Sequence, residues 1–156
     1  ELASHFDYVL IDCPPSLGLL TINALTMARE VMVPMQAHFL ALQGLSKLLD
    51  TVRMVRQGIN PRLVVAGVVL CMHESNTILA GEVVNDLKRF FEAGRGEDVP
   101  WKHAVLYQPP VRRNIKLAEA PSFGKAVFDY SPDCNGSQDY WRLAKSVAAH
   151  PVPLPA

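Results

Sequence analysis

Asp12 is the residue best placed by type to do chemistry. It closes the run Tyr8-Val9-Leu10-Ile11, which is short, apolar and partly β-branched, and Cys13, Pro14 and Pro15 follow it. A carboxylate held at the end of a buried strand can orient Mg²⁺, usually through water, beside the phosphates of a nucleotide. Strand-end aspartates are also ordinary turn residues, so Asp12 by itself leaves both roles open. Arg112, Arg113 and Lys116 form a second group, of a type that contacts phosphate. Lys88-Arg89 fits a DNA contact or the solvated face of a helix. The histidines (His5, His38, His73, His103 and His150) are scattered, with no Cys or Ser at catalytic spacing. His38 and His73 fall after strands, yet both read as incidental. Cys13, Cys71 and Cys134 are far apart and form no CxxC pair. That pattern excludes a disulfide framework and suits a reducing, cytoplasmic setting.

These residues need a scaffold. The segment 8–11 predicts a fully buried strand that the two prolines stop. Ser16 is a candidate N-cap for a helix over 17–29. Val31-Met32-Val33 predicts a second buried strand, closed by Pro34. Apolar residues at helical spacing mark a helix over 41–57, ended by Gly58 and Asn60-Pro61. Residues 63–71 are almost all aliphatic and predict the central strand of a parallel sheet. Leu79, Val83, Leu87 and Phe90 predict the next helix, and 94–98 a polar turn before a short strand at 104–107. A helical stretch over 114–120 ends at Pro121, and 126–128 reads as a last short strand. Residues 138–149 predict a closing helix with Tyr140, Trp141, Ala144 and Val147 inward; Trp101 reads as a packing residue. Residues 150–156 form a proline-rich, frayed tail.

Alternating strands and helices predict an α/β fold with a mostly parallel, doubly wound sheet and helices on both faces. Right-handed crossovers put every strand's carboxyl end on one edge, where ligands of such folds bind. Residues 12–16, 34–38, 72–77 and 108–114 lie on that edge. At 156 residues, 49% hydrophobic, 19% charged and with no net charge, the chain predicts one domain. The same figures exclude general disorder and a protein that coats nucleic acid by bulk charge. No window approaches ~18 consecutive apolar residues, so no membrane span is expected.

The segment 7–18 (Asp-Tyr-Val-Leu-Ile-Asp-Cys-Pro-Pro-Ser-Leu-Gly) strongly resembles the Walker B and switch segment of ParA/Soj chromosome-partitioning ATPases. These belong to the deviant Walker A class. The resemblance continues through Val33-Pro34-Met35-Gln36-Ala37, Ala41-Leu42-Gln43-Gly44-Leu45 and Asn60-Pro61-Arg62-Leu63. It resumes over 113–124 (Arg-Asn-Ile-Lys-Leu-Ala-Glu-Ala-Pro-Ser-Phe-Gly). It implies a P-loop NTPase-like fold, of which residues 1–149 would be the C-terminal part. It implies ATP and Mg²⁺ as cofactors, with Asp12 as the catalytic, Mg²⁺-orienting residue. Pro14, Pro15 and Ser16 would belong to the switch, and Met72, Arg112 and Arg113 would lie near the adenine. An ATP-driven homodimer, non-specific DNA bound through Arg112, Arg113 and Lys116, and a ParB-like stimulator are the implied partners. Nucleoid association would follow from DNA binding.

The chain departs from that pattern in places. Gly124-Lys125 is its only Gly-Lys pair, with Glu119 and Ala126 where a phosphate loop needs glycine and a hydroxyl. The 156 residues alone are therefore expected to bind ATP weakly and to be inactive. Arg112 stands where most of the family has proline, which would stiffen the loop. For Arg113, a surface pairing with Glu119 competes with a nucleotide role. Asn76 and Gly81 occupy positions where the family tends to carry arginine, which weakens the DNA expectation. The C-terminus is not a basic amphipathic helix, which disfavours MinD-like membrane cycling. Two other readings stay open: a nucleotide-independent interaction module, and another deviant Walker A ATPase such as a replication regulator. The resemblance also implies that the strand leading into the phosphate loop pairs beside segment 8–11. Without it that segment would be an unpaired apolar edge prone to association.

Overall fold

The computed structural model describes residues 5–14, 16–74 and 77–150. Three parallel strands, β1 (Glu30–Met35), β2 (Val64–Leu70) and β3 (Val105–Leu106), form a sheet in that order. Each crossover carries a helix: α2 (Phe39–Gly58) between β1 and β2, α3 (Ile78–Gly94) between β2 and β3. α1 (Leu19–Met27) precedes the sheet, and α4 (Ile115–Glu119), α5 (Val127–Tyr130) and α6 (Asn135–Ala149) follow it.

β2 is buried at every residue because it has a strand on each side and helices on each face. On one face Val65, Val68 and Leu70 pack with Leu49 and Val52 of α2 and with Val83 and Leu87 of α3. On the other, Ala66 and Val69 pack with Tyr107, Val111 and Leu143 of α6. This is the doubly wound, mostly parallel α/β architecture, with helices on both faces. No helix among the described residues is long and apolar enough to cross a membrane.

Several local expectations are corrected. Residues 8–11 form no strand and are exposed, Leu10 at 91%. A lone segment has no ladder to satisfy its backbone, and among the described residues none pairs with it. Ser16 does not cap α1 with its side chain. Gly18 holds the N-cap position, while the Ser16 carbonyl accepts from the Thr21 hydroxyl at 2.6 Å. Pro34 does not end β1. The Met35 carbonyl accepts from the Cys71 N–H at 2.8 Å, so the neighbouring Pro34 nitrogen faces away from β2 and costs no ladder bond. Phe91, not Phe90, is the buried residue of α3's last turns. Residues 127–130 are a short helix in place of the expected strand. Tyr140, Trp141 and Ala144 are exposed. The buried residues of α6 are Gly136, Ser137, Asp139 and Leu143, with Val147 half-buried against the same core. Trp101 is buried, with Phe90 stacked on it at 5.8 Å and the Arg53 guanidinium over its ring. Of the tail, residues 151–156 lie outside the described residues, as do Pro15 and Asn76.

Candidate functional site

A cavity of about 310 Å³ opens at the carboxyl ends of β1 and β2. Gln36 and His38 reach it from the turn after β1; Met72, His73 and Glu74 reach it from the turn after β2. Thr77 and Arg113 complete the rim. This is where a parallel sheet exposes its loops, because the helical crossovers leave from that edge.

Local chemistry fixes each wall. The His38 ring accepts the Ala41 N–H at 3.3 Å and so caps α2. The Thr77 hydroxyl accepts from Ala80 N–H at 3.3 Å and caps α3. Gln36 reaches across to the Met72 sulfur at 3.7 Å, joining the two turns. Met72 itself has φ 47°, a left-handed conformation that costs a non-glycine residue roughly 1–2 kcal/mol. Among the described residues His73 Nδ1 is buried without a hydrogen-bond partner, a condition that a ligand polar group would relieve.

The loop 111–114 is drawn to this edge by main-chain bonds. The His73 N–H donates to the Val111 carbonyl at 3.0 Å, and the Val111 N–H donates to the Leu70 carbonyl at 2.8 Å. Arg113 then meets Glu74 across the rim at 3.2 Å. Its expected alternative partner, Glu119, is taken by Lys116 at 2.8 Å and by the Tyr130 hydroxyl at 3.0 Å. These bonds hold the Glu119 carboxyl below its ordinary range, while the bond to Glu119 raises Lys116. Arg112 turns away from the cavity onto Asp139, at 2.7 and 2.8 Å.

Of the residues expected at the site, the cavity gathers Met72 and Arg113. Arg112 and Lys116 are engaged by carboxylates instead. Asp12 and Pro14 are exposed and line no part of the cavity. The buried strand expected to hold Asp12 is absent here for the reason given above. Gly81 is exposed on α3, and Arg89 lies 3.9 Å from Asp86 there. His38 and His73, read as incidental, both line the cavity. Asp139 is a functional-site neighbour that no sequence motif marks. The signal was its place on the apolar stripe of α6, where a carboxylate requires a partner. Among the described residues no three His, Cys, Asp or Glu side chains cluster to hold a metal.

The sequence profile of a family described as an AAA domain matches residues 1–65. The chain is 43% identical over 146 residues to the sporulation initiation inhibitor protein Soj of Bacillus subtilis, covering 94% of this chain and 53% of that protein. It is 45% identical over 142 residues to the chromosome partitioning protein ParA of Caulobacter vibrioides, covering 91% and 49%. Among solved structures it resembles cobyrinic acid a,c-diamide synthase from Mycobacterium smegmatis with bound ADP and magnesium. There the TM-score is 0.68 at 30% identity, covering 96% of this chain and 49% of that one. The chain thus spans about half the length of the curated relatives it matches. Over nearly all its own length the chain is similar to proteins of the ParA/Soj type, and it shares a P-loop NTPase-like α/β fold.

Proposed function

We propose that these residues are the C-terminal part of a ParA/Soj-type partitioning ATPase and that the cavity receives the base of its nucleotide. The observation that carries this reading is the cavity itself, closed by loop 111–114 at the carboxyl ends of β1 and β2. Its volume lies at the small end of ligand pockets, which run from roughly 300 to 1,000 Å³. That suits a heterocyclic base. It does not suit a triphosphate, and the residues present do not build a phosphate and Mg²⁺ site. The only Gly-Lys pair, Gly124-Lys125, closes a 3-10 turn with Gly124 at φ 61°. Asp12 belongs to no cluster of three His, Cys, Asp or Glu side chains among the described residues. In this reading the phosphate loop is supplied by chain outside these 156 residues. Asp12 is then the carboxylate that orients the cation.

ATP would drive homodimerisation and non-specific DNA binding, with a ParB-like protein stimulating hydrolysis. Arg112, Arg113 and Lys116 remain the DNA candidates, but each faces a carboxylate. Phosphate would have to displace Asp139, Glu74 and Glu119, so DNA contacts here are weak and salt-sensitive. In the intact gene product, Asp12→Ala is expected to lower ATP turnover about a hundredfold. Equal turnover would remove Asp12 from the mechanism.

A second reading, a nucleotide-independent interaction module, is favoured by the exposed position of Asp12 and of segment 8–11. Thermal melts with MgATP separate the two. At a hundred times Kd a ligand adds about 2.7 kcal/mol of stability, read as a rise of several degrees in melting temperature. The ATPase reading expects that rise in the intact gene product and none in the 156 residues alone. No rise in either favours the module.

A further inference from the structure

Asp139 is buried on α6, 2% exposed at its side chain, and accepts three hydrogen bonds from one residue. These come from the Arg112 main-chain N–H at 3.1 Å, Nε at 2.8 Å and Nη2 at 2.7 Å. The paired guanidinium bonds are the strong, directional kind. The Arg112 bonds outweigh burial and hold the Asp139 carboxyl below its ordinary range.

The arrangement constrains more than a side chain. Val111 is tied to the sheet through Leu70 and His73. Arg112, next along, is tied to α6 through both its main chain and its guanidinium. Arg113 follows at the cavity rim, and Asn114 caps α4 through a bond from the Lys116 N–H at 2.8 Å. Three of these four consecutive residues, Val111, Arg112 and Asn114, are therefore pinned to three different elements, and Arg113 alone among the four lines the cavity. Arg112 occupies the position where proline would give stiffness through its ring. Here an ion pair from a distant helix gives it.

We propose that Asp139 is a positioning residue, which by holding Arg112 fixes the loop that presents Arg113 to the cavity. Asp139 touches no ligand in this scheme. Its link to nucleotide rests on the base-site reading above; its link to the loop does not.

Four variants of the intact gene product test it: Asp139→Asn, Arg113→Ala, these two combined, and the double change R112P/D139L. Removing both charged partners together avoids an orphaned group, and proline restores stiffness by another route. Amide hydrogen exchange is read at residues 110–115 and, as an internal control, at 64–70. D139N is expected to speed exchange in the loop about tenfold, as loss of one charge-assisted bond implies, with the control strand unchanged. R112P/D139L is expected to return the loop to within about twofold of wild type. Affinity for a fluorescent ATP analogue should fall about tenfold in D139N. That loss should shrink below about twofold when Arg113→Ala is already present. Unchanged loop exchange in D139N, or equal acceleration in the control strand, overturns the proposal. So does failure of the proline variant to restore the loop. If wild type binds no nucleotide, the base-site reading falls and exchange alone decides the role of Asp139.

Discussion

Gly67→Ala is expected to abolish cooperative folding. Gly67 sits in the middle of β2 opposite Val105 of β3, with φ 157°. A Cβ built there would lie 2.1 Å from the Val105 carbonyl oxygen and 3.0 Å from the Tyr107 ring. The first contact is with backbone, which cannot swing aside as a side-chain tip would. The pairing register between β1 and β2 shifts just beside it, between Val31 and Met32, so the strand is already bent at this point. Relief requires β3 to leave β2, uncovering Ala66, Val69 and Tyr107, which pack with Val111 and Leu143 on that face of the sheet. The expected cost exceeds about 4 kcal/mol, in the range reserved for a few severe mechanisms. A domain of this kind has only about 5–15 kcal/mol in total. Circular dichroism melts of the soluble fraction give the check. A wild-type midpoint for Gly67→Ala would mean that β3 does not close against β2 as described.

Legibility varied along the chain for physical reasons. The aliphatic run over 63–71 identified β2 because burial on both faces removes polar alternation and leaves an unmistakable block. Three apolar residues at 126–128 could not be resolved the same way, since so short a run fits strand or helix alike. There Phe128 turns outward, edge-on to the exposed Trp141 at 6.3 Å. Pro34 looks like a stop in sequence because sequence does not reveal which side of a strand its nitrogen faces. Segment 8–11 has the composition of a buried strand, but composition does not supply neighbours. At the site, the loops after β1 and β2 were legible from topology alone, and Met72 and Arg113 were found there. The partner of Arg112 was not. It lies 27 residues away on α6, and only packing brings that helix to the loop.

The 156 residues by themselves are expected to associate at micromolar concentration. Phe6, Tyr8, Val9 and Leu10 are all mostly exposed, and so are Leu19, Leu20 and Met27 of α1. Exposed apolar side chains are common singly, but a contiguous run of them outside the sheet offers a surface for association. No charge interrupts positions 8–11, and no proline does so before Pro14. Both are devices by which natural edges resist pairing. Sedimentation should therefore give at least about twice the monomer mass, with a broad, concentration-dependent melt. The double substitution Val9→Lys and Leu10→Lys places two charges on that edge without touching either core cluster. It should restore a monomer whose melt no longer depends on concentration. A wild-type chain that is monodisperse, monomeric and melts sharply at high temperature would contradict this. It would mean that the apolar edge is covered within the chain itself. If the lysine pair leaves the association intact, the contact lies elsewhere, and the exposed face of α1 becomes the surface to change next.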